Sequence, residues 1–211
     1  DDASGNGNEA VDVAARLLTK LAAKPQAVDV TWLPGRVGNL SDPVGGGFKV
    51  NPAVLLTLKE AGIGELYSHQ KRSAAEVLKN GGSVVVATPT ASGKSLCYLV
   101  PLLTRLSERK SSRAVLLFPL KALANDQLLK VQQLTKAAGR LAESGSFDGD
   151  KKTLHRLRAI SKITSATCDG DSSDAQRARI KTEKTQIVLT NPDSLHHRIL
   201  PGYPKKWTSS F

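Results

Sequence analysis

The chain has 211 residues, 40% of them hydrophobic, which is enough for one α/β domain with a sizeable core. No apolar run approaches the roughly 20 residues of a membrane span and no signal peptide opens the chain, so we expect no membrane partner. Residues 1–60 carry six basic and seven acidic groups, so residues 61–211 hold the remaining 24 and 12, a net of +12. That charge favours a polyanionic partner such as nucleic acid, with a merely soluble basic surface as the alternative.

Residues 1–50 are predicted to form an N-terminal extension. Apolar spacing over 9–24 indicates a helix, and alternation over 27–33 indicates a short strand. Five glycines and two prolines mark residues 34–50 as a loop. The main domain is therefore expected to begin at residue 51.

From residue 51 onward, helices alternate with apolar runs. Asn51 is predicted to cap a helix with Pro52 in its first turn, and Ser68 begins another that reaches about Lys79. Four runs are predicted strands: SVVVA (83–87), AVLLFP (114–119), KITSATC (162–168) and QIVLT (186–190). The first two are apolar on both faces, as in a parallel sheet, and the helix between them completes a β-α-β unit.

A long helix is predicted over roughly 120–138, after the second strand. The polar stretch 143–152 indicates a surface insertion, and the wider segment 139–160 is basic. This segment is expected to be a solvated insertion, with nucleic-acid contact as the alternative.

A phosphate-binding loop is predicted at TPTASGKS, from Thr88 to Ser95, because it joins a buried strand to a helix. Backbone N–H groups would hold the β-phosphate, Lys94 would reach the β- and γ-phosphates, and the Ser95 hydroxyl would bind Mg²⁺. The expected contacts are Thr90, Ala91, Ser92, Gly93, Lys94 and Ser95. Thr88 stands where the strict motif has glycine, so an ordinary strand–turn–helix with an exposed lysine remains the alternative.

Five segments, in order, resemble motifs of superfamily-two DNA helicases of the YprA/Hrq-type branch, which is related to the RecQ helicases. These segments are GIGELYSHQ (62–70), ATPTASGKS (87–95), LLFPLKALANDQ (116–127), CDGDS (168–172) and IVLTNPDSLHHRILP (187–201). The first loop position is often not glycine in that family, which accommodates Thr88. The resemblance covers roughly residues 28–211. It implies a RecA-like P-loop domain, with a largely parallel sheet flanked by helices, that uses ATP and Mg²⁺.

The resemblance also implies roles at matching positions. Gln70 would read the adenine edge, which suits an amide with a donor and an acceptor, and Tyr67 would pack beside the base. A solvated glutamine in a first helical turn is the alternative for Gln70. Positions expected along a nucleic acid, single-stranded or partly unwound DNA, are Pro119, Lys121, Ala122, Asp169, Gly170, Thr190, Asn191 and Pro192. A helix-start lysine at Lys121 and a helix cap at Thr190 are the plainer alternatives.

No Asp-Glu-x-His box occurs in the sequence, although the resemblance places one shortly after the last motif. Residues 51–211 are therefore expected to be a partial first RecA-like motor domain, incomplete at its C-terminus, without the acidic-box strand or a second RecA-like domain. Such a portion should bind nucleotide weakly and hydrolyse it poorly or not at all. The parent would be an ATP-dependent DNA helicase in genome repair, located in the nucleus of a eukaryote or otherwise in the cytoplasm. Alternatives are a P-loop kinase or other NTPase, and an inactive nucleic-acid-binding module.

Overall fold

The computed structural model describes residues 49–144, 149–182 and 185–199, all within one compact unit that starts at Gly38. The helix and strand predicted over 9–24 and 27–33 lie outside the described residues. The domain boundary at residue 51 stays a prediction.

The described residues alternate helices and strands, as expected. The helices are α1 (Pro52–Glu60), α2 (Ser68–Ala75), α3 (Ser95–Glu108), α4 (Lys121–Glu143), α5 (Lys151–Ser161), α6 (Asp174–Thr182) and α7 (Pro192–Ser194). The strands are β1 (Ala114–Leu117), β2 (Ser165–Thr167) and β3 (Ile187–Thr190). Single π-helical turns, Glu76–Asn80 and Leu195–Ile199, extend α2 and α7.

The three strands form a parallel sheet in the order β1-β3-β2, which confirms the predicted α/β class. All four residues of the central strand β3 are buried, because helices cover both of its faces. Ile187 and Leu189 join the main core, whereas Val188 packs with Cys168 and Ile180 in a smaller cluster. This alternation is the period of two expected of a strand.

The main core lies between the sheet and a layer of helices. It is built from α1, α3, α4 and α5, whose fully buried side chains include Leu58, Leu103, Val131 and Leu157. Two ion pairs tie this layer together at its surface, Arg140 of α4 with Glu60 and Arg156 of α5 with Glu108, each at 2.8 Å.

Two helices of this layer begin at side-chain caps. The Asn51 carboxamide oxygen accepts from the N–H of Ala53 at 3.0 Å, which confirms the predicted start of α1. At α5, Asp150 accepts from the Thr153 hydroxyl and from the Thr153 N–H. These hydrogen bonds lower the pKa of Asp150 below its ordinary value, because they favour the ionised carboxylate.

The strand predicted at 83–87 does not form. Residues 83–87 have no hydrogen-bonded strand beside them anywhere in the described ranges, and the Val85 side chain is 95% exposed. An apolar run predicts burial, but a strand also needs a neighbour to satisfy its backbone groups. The predicted β-α-β unit is thus reduced to an extended segment, α3 and β1.

The prediction of a solvated insertion over 139–160 is wrong for its second half, which forms α5. Leu157 and Ile160 of α5 are fully buried in the main core, and α5 packs against α1, α3 and α4. The apolar positions recur at helical spacing among basic residues, so the charge of the segment belongs to one face of a core helix.

Leu157→Ala should lower the free energy of unfolding by about 2–5 kcal/mol, because it removes buried methyl groups and leaves a cavity. Leu129→Ala, the same change at a side chain that is 58% exposed on α4, should change it by less than about 0.5 kcal/mol. Chemical denaturation followed by circular dichroism measures both. Equal losses in the two variants would contradict the placement of α5 in the core.

Candidate nucleotide-binding site

The predicted phosphate loop lies between the extended segment and the N-terminus of α3, as the sequence requires. Two of its residues take left-handed backbone conformations, Ala91 with φ of 61° and Gly93 with φ of 75°. A Cβ atom on Gly93 would also lie 2.5 Å from the Gln70 Nε2 atom. Both the backbone angle and the close approach require glycine at position 93.

The loop is closed by its own side chains. The Lys94 ammonium donates to the Thr88 carbonyl oxygen at 2.8 Å and to that of Pro89 at 2.5 Å. The hydroxyls of Thr88 and Ser92 share a hydrogen bond of 2.6 Å. Thr88, the departure from the strict motif, thus contributes a side-chain contact that glycine lacks.

The donor set at this helix start suits a phosphate with a divalent cation. The N–H groups of Gly93, Lys94 and Ser95 lie where a helix provides no intrahelical acceptors, at the positive end of the 14-residue helix α3. Lys94 adds an ammonium, and Ser95, the first residue of α3, adds a hydroxyl. Together these groups are the chemistry that binds nucleotide phosphates in strand–loop–helix units.

Helix α2 holds this junction by three side chains. His69 Nε2 lies 3.1 Å from the Ser92 carbonyl oxygen, Gln70 Nε2 donates to that of Gly93 at 2.9 Å, and the Ser73 hydroxyl donates to that of Cys97 at 2.9 Å. The last bond has a clear cause: Pro101, four residues beyond Cys97 in α3, has no N–H to donate to that carbonyl.

The Gln70 amide is 1% exposed and bonded within the protein through both ends. Its oxygen accepts from the Tyr67 N–H at 2.9 Å, and its nitrogen donates to Gly93. The solvated alternative for Gln70 is therefore wrong. The adenine-reading role stays a prediction, and it would require the amide to use its remaining N–H and lone pair or to exchange these bonds.

Tyr67 and His69 form a stacked pair beside the loop, with ring centroids 5.8 Å apart and planes at 11°. His69 was not predicted as a site residue, although it directly precedes Gln70 in the sequence. The sequence contains no signal that His69 would contact the Ser92 carbonyl, which lies 23 residues away along the chain.

Cys97, in the first turns of α3, is 5% exposed, and burial raises the pKa of its thiol. A thiol kept in its protonated form is a poor nucleophile, so Cys97 acts as a small core residue. Neither Cys97 nor Cys168 forms a disulfide, and both are buried.

The predicted nucleic-acid positions meet at the carboxyl edge of the sheet. Lys121, the first residue of α4, forms an ion pair with Asp171 of the turn after β2. The Thr190 hydroxyl, at the end of β3, donates to the Cys168 carbonyl oxygen and is buried. Three motifs that are far apart in sequence thus share one edge, as parallel strands require.

Within this edge, several side chains hold their own turns. Asp169 accepts from the N–H groups of Asp171 and Ser172 at 3.0 and 3.1 Å. The Asn191 amide oxygen accepts from the Ser194 N–H at 2.7 Å, so Asn191, rather than Thr190, is the helix cap. The other predicted positions, Pro119, Ala122, Gly170 and Pro192, are exposed or half-buried beside them.

The phosphate loop does not line the cavity described next. A cavity of about 1110 Å³ is lined by residues that include members of α1, α3 and the loop around Leu66, and none of its lining residues belongs to the phosphate loop.

Among the described residues, no helix is both long and apolar enough to cross a membrane.

Comparison with known proteins agrees with this arrangement. The family model for the DEAD/DEAH box helicase matches residues 67–210, which include the α2 segment, the phosphate loop and the carboxyl edge of the sheet. The chain belongs to the DEAD/DEAH box helicase family. Membership confirms the predicted resemblance and its RecA-like fold class.

The relatives are helicases of the predicted branch. The chain is 38% identical over 162 residues to the uncharacterized ATP-dependent helicase YprA of Bacillus subtilis, and 35% identical over 140 residues to the ATP-dependent helicase hrq1 of Schizosaccharomyces pombe. These matches span 77% and 66% of this chain but only 18% and 11% of the relatives. A crystal structure of the DUF1998 helicase MrfA bound to DNA and AMPPNP matches 92% of this chain and 24% of that one, with a TM-score of 0.65 and 32% identity.

Gly93→Ala should destabilise the fold by about 1–3 kcal/mol, because alanine at φ of 75° is strained and its Cβ would strike the Gln70 amide. Gly139→Ala is the control, because Gly139 lies in α4 and its Cβ would meet only ordinary contact, 3.7 Å from Ser161. That change should stabilise by about 0.5–1 kcal/mol. Denaturant titration measures the free energy of unfolding of both variants. If Gly93→Ala leaves the free energy of unfolding unchanged, the loop geometry described here is wrong.

Proposed function

We propose that this chain is the ATP-binding part of an ATP-dependent helicase that unwinds DNA in genome repair. Two features of the structure together support this proposal most. Helix α2 makes hydrogen bonds to the phosphate loop, and the motifs at 116–127, 168–172 and 187–201 meet at the carboxyl edge of the sheet. The related helicase MrfA was crystallised with DNA and AMPPNP. For such a substrate we propose the nucleus in a eukaryote and the cytoplasm otherwise.

The nucleotide would bind at the start of α3. The N–H groups of residues 90–95 and the Lys94 ammonium would hold the β- and γ-phosphates, and the Ser95 hydroxyl would hold Mg²⁺, which neutralises phosphate charge when bound. For this, Lys94 must exchange the carbonyls of Thr88 and Pro89 for phosphate oxygens. Exchange of neutral acceptors for an anion is favourable, because hydrogen bonds between charged groups are the stronger ones.

The nucleic acid would lie along the carboxyl edge of the sheet. Lys121 and the N–H groups at the start of α4 can face a phosphate backbone. Contacts to that backbone position a protein but carry no sequence information. Thr190 and Asp169 hold the turns at this edge rather than offering free polar groups. Single-stranded or partly unwound DNA is the proposed ligand.

The alternatives explain less. A P-loop kinase or other NTPase accounts for the loop but not for the segments that carry Gln70, Lys121 and Asn191, which the helicase family model matches together with the loop. An inactive nucleic-acid-binding module accounts for that edge but not for the left-handed Gly93 and the charged lysine beside it.

Lys94→Ala should weaken the binding of a fluorescent ADP analogue by about tenfold or more, because it removes a charge-assisted contact to phosphate. Lys130→Ala, which removes a lysine paired with Asp126 on the surface of α4, is the control and should leave affinity unchanged. Anisotropy titrations in Mg²⁺ buffer measure both. Equal affinities of Lys94→Ala and the wild type would rule out the phosphate loop.

Asp171→Asn should strengthen binding to a labelled single strand by up to about fivefold, because Asp171 competes with phosphate for Lys121. Lys121→Ala should weaken binding and reduce the slope of log K against log salt by about one. The control is Asp174→Asn, the same charge change at a carboxylate paired with Arg177. If Asp174→Asn strengthens binding as much as Asp171→Asn does, the effect is general charge and the edge is not the site.

A further inference from the structure

We propose that His69 is a positioning residue for nucleotide binding, which aims the Gly93 N–H of the phosphate loop; this rests on the proposed function. His69 lies in α2, one residue before Gln70, and its Nε2 atom is 3.1 Å from the Ser92 carbonyl oxygen. A carbonyl only accepts hydrogen bonds, so Nε2 carries the proton and donates it. Both the neutral Nε2–H tautomer and the imidazolium meet this requirement.

The peptide bond transmits this contact to the nucleotide site. The Ser92 carbonyl and the Gly93 N–H belong to one planar trans peptide, so they point in opposite directions. Holding the oxygen toward His69 therefore directs the Gly93 N–H away from α2. The same argument applies one residue later, where Gln70 holds the Gly93 carbonyl at 2.9 Å and so directs the Lys94 N–H.

This restraint matters because the loop's own side-chain hydrogen bonds, between the Thr88 and Ser92 hydroxyls and from Lys94 to the Thr88 and Pro89 carbonyls, do not involve the Ser92 carbonyl. Gly93 populates positive and negative φ with little preference, and Ala91 on the other side is held at a strained φ of 61°. A reversed Ser92–Gly93 peptide would present a carbonyl oxygen, rather than an N–H, to an anionic phosphate. His69 suppresses that reversal at the Ser92–Gly93 peptide. At the next peptide Gln70 does so together with the Leu96 N–H, which donates to the same Gly93 carbonyl at 3.1 Å.

The stacking on Tyr67 serves the same geometry. The two rings lie 11° from parallel with centroids 5.8 Å apart, which limits rotation of the imidazole and keeps Nε2 on the carbonyl. The contribution of stacking and that of the hydrogen bond are separable by substitution. Phenylalanine keeps an aromatic ring without a donor, and glutamine keeps a donor at about the distance of Nε2 without a ring.

The test compares His69→Phe, His69→Gln and His69→Ala with the wild type in titrations of a fluorescent ADP analogue with Mg²⁺. His69→Phe and His69→Ala should lose about 3- to 10-fold in affinity, the size of one neutral hydrogen bond, and His69→Gln should recover most of it. Thermal melts of each variant provide the folding control. His69→Phe binding as tightly as the wild type, or His69→Gln binding as weakly as His69→Phe, would overturn the inference.

Lys94→Ala in the same experiment separates this inference from the proposed function. Loss of affinity in Lys94→Ala with full affinity in His69→Phe overturns the role of His69 and leaves the phosphate loop in place. A wild-type chain that binds no ADP analogue, or binds it as Lys94→Ala does, overturns both.

Discussion

The site depends on the hydrogen bonds that α2 makes to the carbonyl oxygens of the loop and of α3. His69, Gln70 and Ser73 reach the carbonyls of residues 92, 93 and 97. The Ser92 carbonyl precedes the helix, and the Cys97 carbonyl lacks its usual helical partner because Pro101 provides no N–H. The Gly93 carbonyl accepts from Gln70 in addition to the Leu96 N–H of α3, at 3.1 Å. Unpaired buried polar groups cost about 1–3 kcal/mol each, so the hydrogen bonds from α2 stabilise the observed geometry of the loop.

The second half of the site depends on strand direction. Because β1, β2 and β3 are parallel, the segments that follow them emerge at one edge, and residues separated by 50 positions, Lys121 and Asp171, become partners. The exposed ion pair itself contributes little to stability. The pair places a cation beside a carboxylate where the segments that follow β1 and β2 meet.

Much of this arrangement could be predicted from the sequence, where local chemistry decides the outcome. Asn51 before Pro52 specifies a helix start, Gly93-Lys94-Ser95 a loop before a helix, and the apolar run ending at Thr190 a buried strand. The prediction of a strand at 83–87 was wrong, because an apolar run predicts burial, whereas strand pairing depends on a neighbouring strand that the local sequence does not contain. Helix α5 was misjudged because its basic composition masked Leu157 and Ile160 at helical spacing.

The hydrogen bonds from α2 to the loop and to α3 also could not be predicted from the sequence. Gln70 was singled out for its amide, but an amide suits a nucleobase and a backbone carbonyl equally well, and only the fold decides between them. His69 carried no motif that would link it to Ser92. The family resemblance predicts the nucleotide site at the loop before α3, while the contacts that shape this loop are made by side chains 23 or 24 residues away.

The central claim is that α2 presents the loop's N–H groups, and the Lys94 ammonium, to a nucleotide phosphate. A crystal structure of the chain with Mg²⁺ and a non-hydrolysable ATP analogue tests it most directly. We expect the β-phosphate within hydrogen-bond distance of the N–H groups of Gly93, Lys94 and Ser95. His69 and Gln70 should still donate to their carbonyls, and Lys94 should have moved from the Thr88 and Pro89 carbonyls to phosphate. A nucleotide bound elsewhere, or a Lys94 that stays on those carbonyls with nucleotide present, would contradict it.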